Sequence, residues 1–170
     1  MQENTESTFP QGATLLKRLH PRAKLPRYAT DGSAAFDLWP ILADEDPKDG
    51  ADLFLTLPPG QMVTIRTGWA CMPPKDWCVE LHSRSGQGKV RVSLANRTGI
   101  IDSDYTGELL AMVVNEGTED YVIQESKAVC QGKLAYSPQA VFFEVLELPK
   151  TKRGAGGFGH TDAPTGVHQA

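Results

Sequence analysis

The feature that most constrains the fold is a series of short apolar runs that alternate with polar residues and are separated by glycine and proline. Two such runs, 62–72 and 77–82, are divided by Pro73 and Pro74. A period of two is typical of strands with one buried face, and no long stretch follows the helical period. The 16 glycines and 12 prolines indicate many turns. We predict an all-β domain, either a sandwich or a barrel.

Other short runs carry the same pattern along the chain. Further strands are predicted over 13–19, 36–38, 90–94, 109–114, 121–123, 132–136 and 140–148. A chain of 170 residues with 40% hydrophobic content can bury one sizeable core. We therefore expect a flexible leader over 1–12, one β-domain over 13–148 and a flexible arm over 149–170.

Charge and cysteine content exclude several classes of function. The net charge of −4 provides no general attraction to nucleic acid or to anionic membranes, so an anionic ligand requires a local cluster of donors. Three cysteines without a CxxC pair predict free thiols rather than a disulfide framework or a zinc knuckle. No run approaches the roughly 18 apolar residues of a membrane span. We expect a soluble, cytoplasmic protein.

The segment from Gly99 to Gly107 combines a carboxylate, Asp102, with an aromatic ring, Tyr105. Glycine adopts positive φ without steric cost, so the two glycines predict a tight β-hairpin. Such a hairpin directs both side chains towards one small pocket. An exposed turn aspartate beside a half-buried tyrosine is the simpler interpretation of the same residues.

The segment 83–89 places hydroxyl groups, a guanidinium and glycines directly after a predicted strand. Arg84, Ser85 and Gly86 in such a loop can direct positive charge and N–H groups at phosphate oxygens. A generic polar loop explains the residues equally well. Asp37 alternates with Phe36 and Leu38, which predicts a carboxylate on the polar face of a strand.

The glycines of the arm match the spacing of the GxGxxG pattern, but a dinucleotide site also needs a preceding strand and a following helix. A closing flap is the alternative to an ordinary disordered tail. In such a flap Arg153 binds phosphate and Phe158 stacks on a flat ring, while His160 and Thr161 provide further donors.

The acidic segment 43–52 is similar in composition to a calcium loop. Its spacing differs, because Leu55 stands where the bidentate glutamate belongs. We expect a solvated loop, and a binding site for an unknown partner is the alternative.

Taken together, these motifs resemble those of the trimeric deoxyuridine triphosphatases, the dUTPase family. The resemblance extends over about residues 13–162 and rests on five segments in the family order, which are 31–38, 83–88, 96–107, 132–135 and 153–161. It implies a jelly-roll-like distorted β-barrel of the dUTPase type (a β-clip), which forms a homotrimer with active sites shared between subunits. It also implies hydrolysis of dUTP to dUMP and pyrophosphate.

The resemblance further implies individual roles. Asp102 would activate water for attack on the α-phosphorus, Tyr105 would pack under the deoxyribose, and Mg²⁺ on the triphosphate would contact Asp37 through water. Phosphate contacts would come from Arg84 and Ser85, with Arg153 on the γ-phosphate and Phe158 on the base. The other substrate-binding positions implied by the match are Gly86, Asn96 for the uracil edge, Gly99, Ile101, Lys133, Gly159, His160 and Thr161.

One segment departs from the family pattern. Where the family usually has Arg-Ile-Ala-Gln, this chain has Lys133 to Tyr136, so a point charge replaces a guanidinium and the glutamine is missing. Two alternatives to dUTP hydrolysis remain. A dCTP deaminase of the same fold needs a glutamate near Met112, where an apolar residue cannot transfer a proton. A non-catalytic nucleotide-binding regulator is the other.

Overall fold

A computed structural model describes residues 9–10, 12–47 and 50–158. The predicted leader, 1–12, lies mostly outside the described residues. The strands are β1 Leu15–Arg18, β2 Arg27–Tyr28, β3 Phe36–Leu38, β4 Phe54–Leu57, β5 Met62–Met72, β6 Trp77–His82, β7 Val92–Leu94, β8 Thr98–Ile101, β9 Glu108–Asn115, β10 Tyr121–Gln124 and β11 Cys130–Tyr136. The single helix among the described residues, α1 Ser85–Gly88, is one turn long. The predicted all-β class is confirmed.

The strands form three antiparallel sheets. A four-stranded sheet has the order β1-β5-β9-β7, a five-stranded sheet has the order β2-β3-β11-β6-β8, and β10 pairs with β4. The consecutive strands β5 and β6 therefore belong to different sheets. The Pro73-Pro74 connection carries the chain from one sheet to the other.

The core lies between the inward faces of the two larger sheets. In β9, Leu109, Ala111 and Val113 are fully buried, and in β6 Val79 and Leu81 pack into the same apolar cluster. Burying a valine or leucine side chain contributes about 1.5–3 kcal/mol, so alternate positions of these strands fix which face points inward. Polar residues at the positions between them are left on the outer faces.

A bulge between Arg66 and Ala70 interrupts the pairing of β5 with β9. Gly68 lies in this bulge with φ of +74°, and a Cβ atom there would come within 2.6 Å of the Ala23 Cβ. Only glycine satisfies both constraints, because other residues rarely adopt this φ and no space exists for a side chain.

The tight hairpin predicted over 99–107 is wrong, although the flanking strands predicted over 90–94 and 109–114 do pair with each other, as β7 with β9. The strand β8 pairs with β6 in the five-stranded sheet, whereas β9 pairs with β5 and β7 in the four-stranded sheet. The turn at 102–107 therefore crosses between sheets, and neither Gly99 nor Gly107 has positive φ. Sequence alternation identified the strands but carried no information about their partners.

The chain divides into two compact units, residues 1–139 and 140–170. The first unit ends ahead of the boundary predicted at 148. The strand predicted over 140–148 is wrong, because the segment has no regular secondary structure. Its apolar side chains are strongly exposed, with Phe142 at 92% and Leu146 at 105%. An alternating apolar run forms a strand only where a partner edge is available to it.

All three cysteines are buried and free, as the sequence predicted. Within the described ranges, no helix is long and apolar enough to cross a membrane.

Candidate active site

The loop after β6 is held by side chains from three directions. The Ser83 hydroxyl accepts a hydrogen bond from the Leu94 amide at 2.8 Å, and the Gln131 side chain donates to the Ser83 carbonyl at 3.0 Å. The amide of Arg84 donates to the Gln87 side chain at 2.7 Å. The predicted phosphate loop is therefore a short helical turn with a fixed backbone.

Arg84 also contacts the neighbouring β3. Its Nε lies 3.1 Å from Asp37 Oδ1, and a second guanidinium nitrogen lies 3.3 Å from Oδ2. Alternation in β3 buries Leu38 and leaves Asp37 facing outward, as predicted. The pair joins two segments that are far apart in sequence.

A cavity of about 650 Å³ opens beside this pair, and we call it the Asp37 cavity. Its functionally relevant lining consists of Asp37, His82, Arg84, Ser85, Gly86 and Lys133. Five of these six positions were predicted from the sequence, and they come from β3, α1 with its preceding loop, and β11. Positive groups predominate, so the cavity suits an anion.

The register of the five-stranded sheet explains why these residues meet. Asp37 is paired with Gln131, which is paired with His82, and His82 is paired with Thr98. Two positions further along β11, Lys133 lies opposite Glu80. The imidazole Nε2 of His82 lies 3.0 Å from a carboxylate oxygen of Glu80, which is also 3.9 Å from the Lys133 ammonium. A polar row therefore crosses the sheet next to the cavity.

The inter-sheet turn holds the second group of predicted residues. Asp102 and Tyr105 are exposed, and the Tyr105 amide donates to the Asp102 carbonyl at 3.2 Å. The Tyr105 hydroxyl donates to the Glu108 carbonyl at 3.1 Å. The ring lies over Gly107, where a Cβ would come within 2.4 Å of the hydroxyl oxygen. Close approach to this ring explains the glycine.

Asn96 and Gly99 adjoin each other at the start of β8. The Asn96 side-chain nitrogen lies 3.2 Å from the position that a Cβ of Gly99 would occupy, and Gly99 itself is buried against Leu81. Ile101, half-buried at the end of β8, is paired with Val79. None of Asn96, Gly99, Ile101, Asp102 or Tyr105 lines the Asp37 cavity of the same chain.

In the second unit, the predicted flap residues form a small turn. The Arg153 side chain donates to the Gly156 carbonyl at 2.8 Å, and Gly154 has φ of +51°. Phe158 is fully exposed. The other predicted arm residues, Gly159, His160 and Thr161, lie outside the described residues.

Comparison with known proteins identifies the family. The sequence model of the dUTPase family matches residues 21–162. The chain belongs to the dUTPase family. The match contains all five segments from which the resemblance was inferred, so that prediction is confirmed.

Similar proteins extend over most of the chain. A deoxyuridine 5'-triphosphate nucleotidohydrolase of Caulobacter vibrioides is 36% identical over 159 residues, which cover 91% of this chain and 98% of that protein. One from Desulfitobacterium hafniense is 39% identical over 142 residues, which cover 81% and 87%. Both relatives lie within the dUTPase family.

Solved dUTPase structures share the fold. A dUTPase of Staphylococcus bacteriophage 80alpha with dUpNHpp superposes with a TM-score of 0.74 at 20% identity, covering 88% of this chain and 98% of that one. A phage phi11 dUTPase with a structural Mg(II) ion gives 0.68 at 19% identity, covering 81% and 99%. At this level of identity the likeness concerns the dUTPase fold.

The candidate metal-binding residues of this dUTPase-family chain fit a Mg²⁺ ion that is bound mainly by a phosphorylated ligand. Among the residues described, no three His, Cys, Asp or Glu side chains are grouped to hold a metal. Asp37 is a single carboxylate, already paired with Arg84. Mg²⁺ commonly keeps several waters and combines one or two carboxylates with substrate phosphates. The residues fit an ion that arrives with a phosphorylated ligand, not a resident all-protein site.

The acidic segment is not simply solvated. Asp44 is paired with Arg66 at 3.0 Å and Asp46 with Arg22 at 2.6 Å, although both carboxylates remain exposed. Arg22 also bonds the buried Glu125. The segment is therefore attached to the body of the domain by ion pairs. Positions 48–49 lie outside the described residues.

Sequence reasoning missed His82, Gln87 and Gln131. His82 lies in β6 and Gln131 in β11, and the alternation along each strand could have predicted on which side of the sheet each residue lies. It could not have predicted the strand register that brings both residues next to Asp37. Gln87 lies in a glycine-containing loop that has no periodic apolar pattern. Nothing in the sequence therefore indicated that its side chain is buried.

Proposed function

We propose that the chain hydrolyses dUTP to dUMP and pyrophosphate, and that the Asp37 cavity receives the phosphates. One observation carries the proposal: three family segments that are distant in sequence supply Asp37, the Arg84–Gly86 turn and Lys133 to a single cavity. The substrate is proposed from the name of the relatives, deoxyuridine 5'-triphosphate nucleotidohydrolase. We further propose a cytoplasmic location, where free thiols are stable.

Asp102 is the proposed general base. Its carboxylate accepts a proton from a water molecule, whose oxygen forms a bond to the α-phosphorus. The bond from that phosphorus to the bridging oxygen breaks, and pyrophosphate leaves with the electron pair. A carboxylate does this only when it is fixed near the water, and the hydrogen bond from the Tyr105 amide to the Asp102 carbonyl restrains the turn.

The Asp37 cavity would stabilise the charge that develops on the phosphates. Arg84 and Lys133 provide positive charge, and the Ser85 hydroxyl can donate to a bridging oxygen. Mg²⁺ carried by the triphosphate would neutralise further charge, with Asp37 contacting its bound waters. Arg84 would also orient the Asp37 carboxylate through their paired contacts.

The turn would provide selectivity. Asn96 and the backbone at Gly99 and Ile101 are proposed to hydrogen-bond the uracil edge, and the Tyr105 ring would pack under the deoxyribose. A ribose 2′-hydroxyl against this ring would lose its water partners, which costs about 1–3 kcal/mol before any clash. Arg153 and Phe158, with Gly159, His160 and Thr161, are proposed to cover the nucleotide.

A homotrimer with shared sites accounts for two observations. Asp102 and Tyr105 do not line the Asp37 cavity of their own chain. The segment 140–148 exposes Val141, Phe142, Phe143, Leu146 and Leu148, which need a covering surface. A site built from the cavity of one subunit and the turn of another would explain why Asp102 and Tyr105 lie outside the cavity of their own chain. Contact between subunits would cover the apolar side chains of 140–148.

The test is product analysis with dUTP and Mg²⁺. The full-length chain should release pyrophosphate and dUMP, and Asp102→Asn should lower kcat by about a hundredfold or more, the scale of general-base catalysis. Asp104→Asn alters a neighbouring carboxylate of the same turn and should retain kcat. Ammonia release from dCTP would indicate a deaminase instead, and binding without turnover would indicate a regulatory protein.

A further inference from the structure

The Gln87 side chain is buried within the phosphate-side turn, at the edge of the Asp37 cavity, and uses both ends of its amide. Its exposed fraction is 5%. The Oε1 atom accepts from the Arg84 amide at 2.7 Å, and the Nε2 atom donates to the Val129 carbonyl at 2.8 Å. It therefore joins the turn to the residue that precedes β11.

The connection continues into β3. The Val129 amide donates to the Leu38 carbonyl at 2.8 Å, and Leu38 follows Asp37. The Arg84 guanidinium returns to the Asp37 carboxylate. The result is a closed circuit of hydrogen bonds through the three segments that supply Arg84, Asp37 and, further along β11, Lys133.

We propose that Gln87 is a positioning residue for phosphoryl transfer, which fixes the Arg84–Gly86 turn relative to Asp37 and Lys133. The inference rests on the proposed function of the cavity. Gln87 borders the Asp37 cavity, but it is 5% exposed and both ends of its amide are engaged by the backbone, so in this role it positions the turn and makes no contact with the nucleotide. A displacement of the phosphate donors by a fraction of an ångström affects the reacting geometry more than ground-state binding.

The glutamine amide supplies both the acceptor and the donor that these two bonds require. Methionine has a similar volume but leaves the Arg84 amide and the Val129 carbonyl without this partner. Glutamate keeps the acceptor for Arg84 and loses the donor for Val129. Comparison of Gln87→Met with Gln87→Glu therefore separates the two ends of the side chain.

Asn115 provides a matched control for stability. It is fully buried, and its side chain donates to the Leu57 and Glu119 carbonyls at 2.8 Å and accepts from the Gly117 amide at 2.9 Å. It does not line the Asp37 cavity. Asn115→Leu should therefore lower the Tm without altering the chemical step.

The experiment measures kcat and KM for dUTP with Mg²⁺, the Kd for dUpNHpp and the Tm of all four proteins. Assays are run at the same interval below each Tm. Gln87→Met should lower kcat between about ten- and a hundredfold, while the Kd for dUpNHpp changes less than about threefold, which is under 1 kcal/mol. Gln87→Glu, which keeps an acceptor for the Arg84 amide but sets a second acceptor against the Val129 carbonyl, should also lower kcat.

An equal kcat in Gln87→Met and Asn115→Leu overturns the inference. If Gln87→Met fails to fold, Gln87→Glu decides, and an unchanged kcat in that variant also overturns it. Failure of the unaltered chain to release pyrophosphate would reject the proposed function itself, which keeps the two failures distinct.

Discussion

The guanidinium of Arg84 is paired through two nitrogens with the carboxylate of Asp37, at 3.1 and 3.3 Å. The pair joins the turn after β6 to β3 across the sheet. Each side chain thereby fixes the other at the mouth of the Asp37 cavity, and a change in either one alters both the charge and the geometry of that site.

Asp37→Asn is expected to impair turnover and its dependence on Mg²⁺. Loss of a hydrogen bond to a charged group costs about 1.5–3 kcal/mol, so kcat/KM for dUTP should fall tenfold or more. The Mg²⁺ concentration for half-maximal rate should rise. Asp120→Asn removes an exposed carboxylate before β10 and serves as the control. An Asp37→Asn protein with the normal Mg²⁺ titration would contradict the role of this carboxylate.

Gly107→Ala is expected to relax sugar selectivity without loss of the fold. The added methyl group would come within 2.4 Å of the Tyr105 hydroxyl oxygen, so the ring must move and its bond to the Glu108 carbonyl breaks. The ratio of kcat/KM for dUTP to that for UTP should fall, with a small change in Tm. At Gly32 a Cβ meets no atom within 4 Å, so Gly32→Ala is the control. Unchanged discrimination in Gly107→Ala would show that Tyr105 does not set it.

The cysteine thiols should resist alkylation in the folded protein. Burial raises the pKa of Cys71 to about 11 and that of Cys130 to about 12, and Cys78 is also buried. The reactive thiolates of Cys71 and Cys130 are therefore scarce near neutral pH. A colorimetric thiol reagent should detect none in the native state and three in guanidinium. Ser137→Cys supplies an exposed thiol as a positive control, and rapid labelling of the unaltered native chain would disprove the prediction.

The pair of Arg97 with Glu116 should contribute to stability in a pH-dependent manner. Hydrogen bonds from Arg97 hold the pKa of Glu116 below its ordinary value. A lowered folded-state pKa stabilises the protein above the unfolded-state pKa, and this contribution is lost as the pH falls through the folded value. Glu116→Gln should therefore reduce the fall in the free energy of unfolding at acid pH, which we call the acid limb and which is measured by urea titrations at a series of pH values. Glu119→Gln should preserve the limb, and identical acid limbs for Glu116→Gln and the unaltered chain would refute the linkage.

Several elements were predictable because local pattern is enough to define them. The alternation in β5, β6 and β9 separates a buried face from a polar face, and the position of Asp37 between Phe36 and Leu38 fixed its direction. The error over 99–107 arose because alternation does not specify a pairing partner. The strand predicted over 140–148 failed for a related reason, since an apolar run becomes a strand only beside an available edge.

By itself, the sequence determined the all-β class, the family and the chemical groups of the site, because these depend on residue type and spacing along the chain. Only the tertiary structure decided that β8 and β9 belong to different sheets, that Asp37 meets Arg84, and that the Gln87 amide joins the turn to Val129. These relationships depend on strand register and on burial between distant segments. Both are set by how the sheets pack together, which no local pattern records.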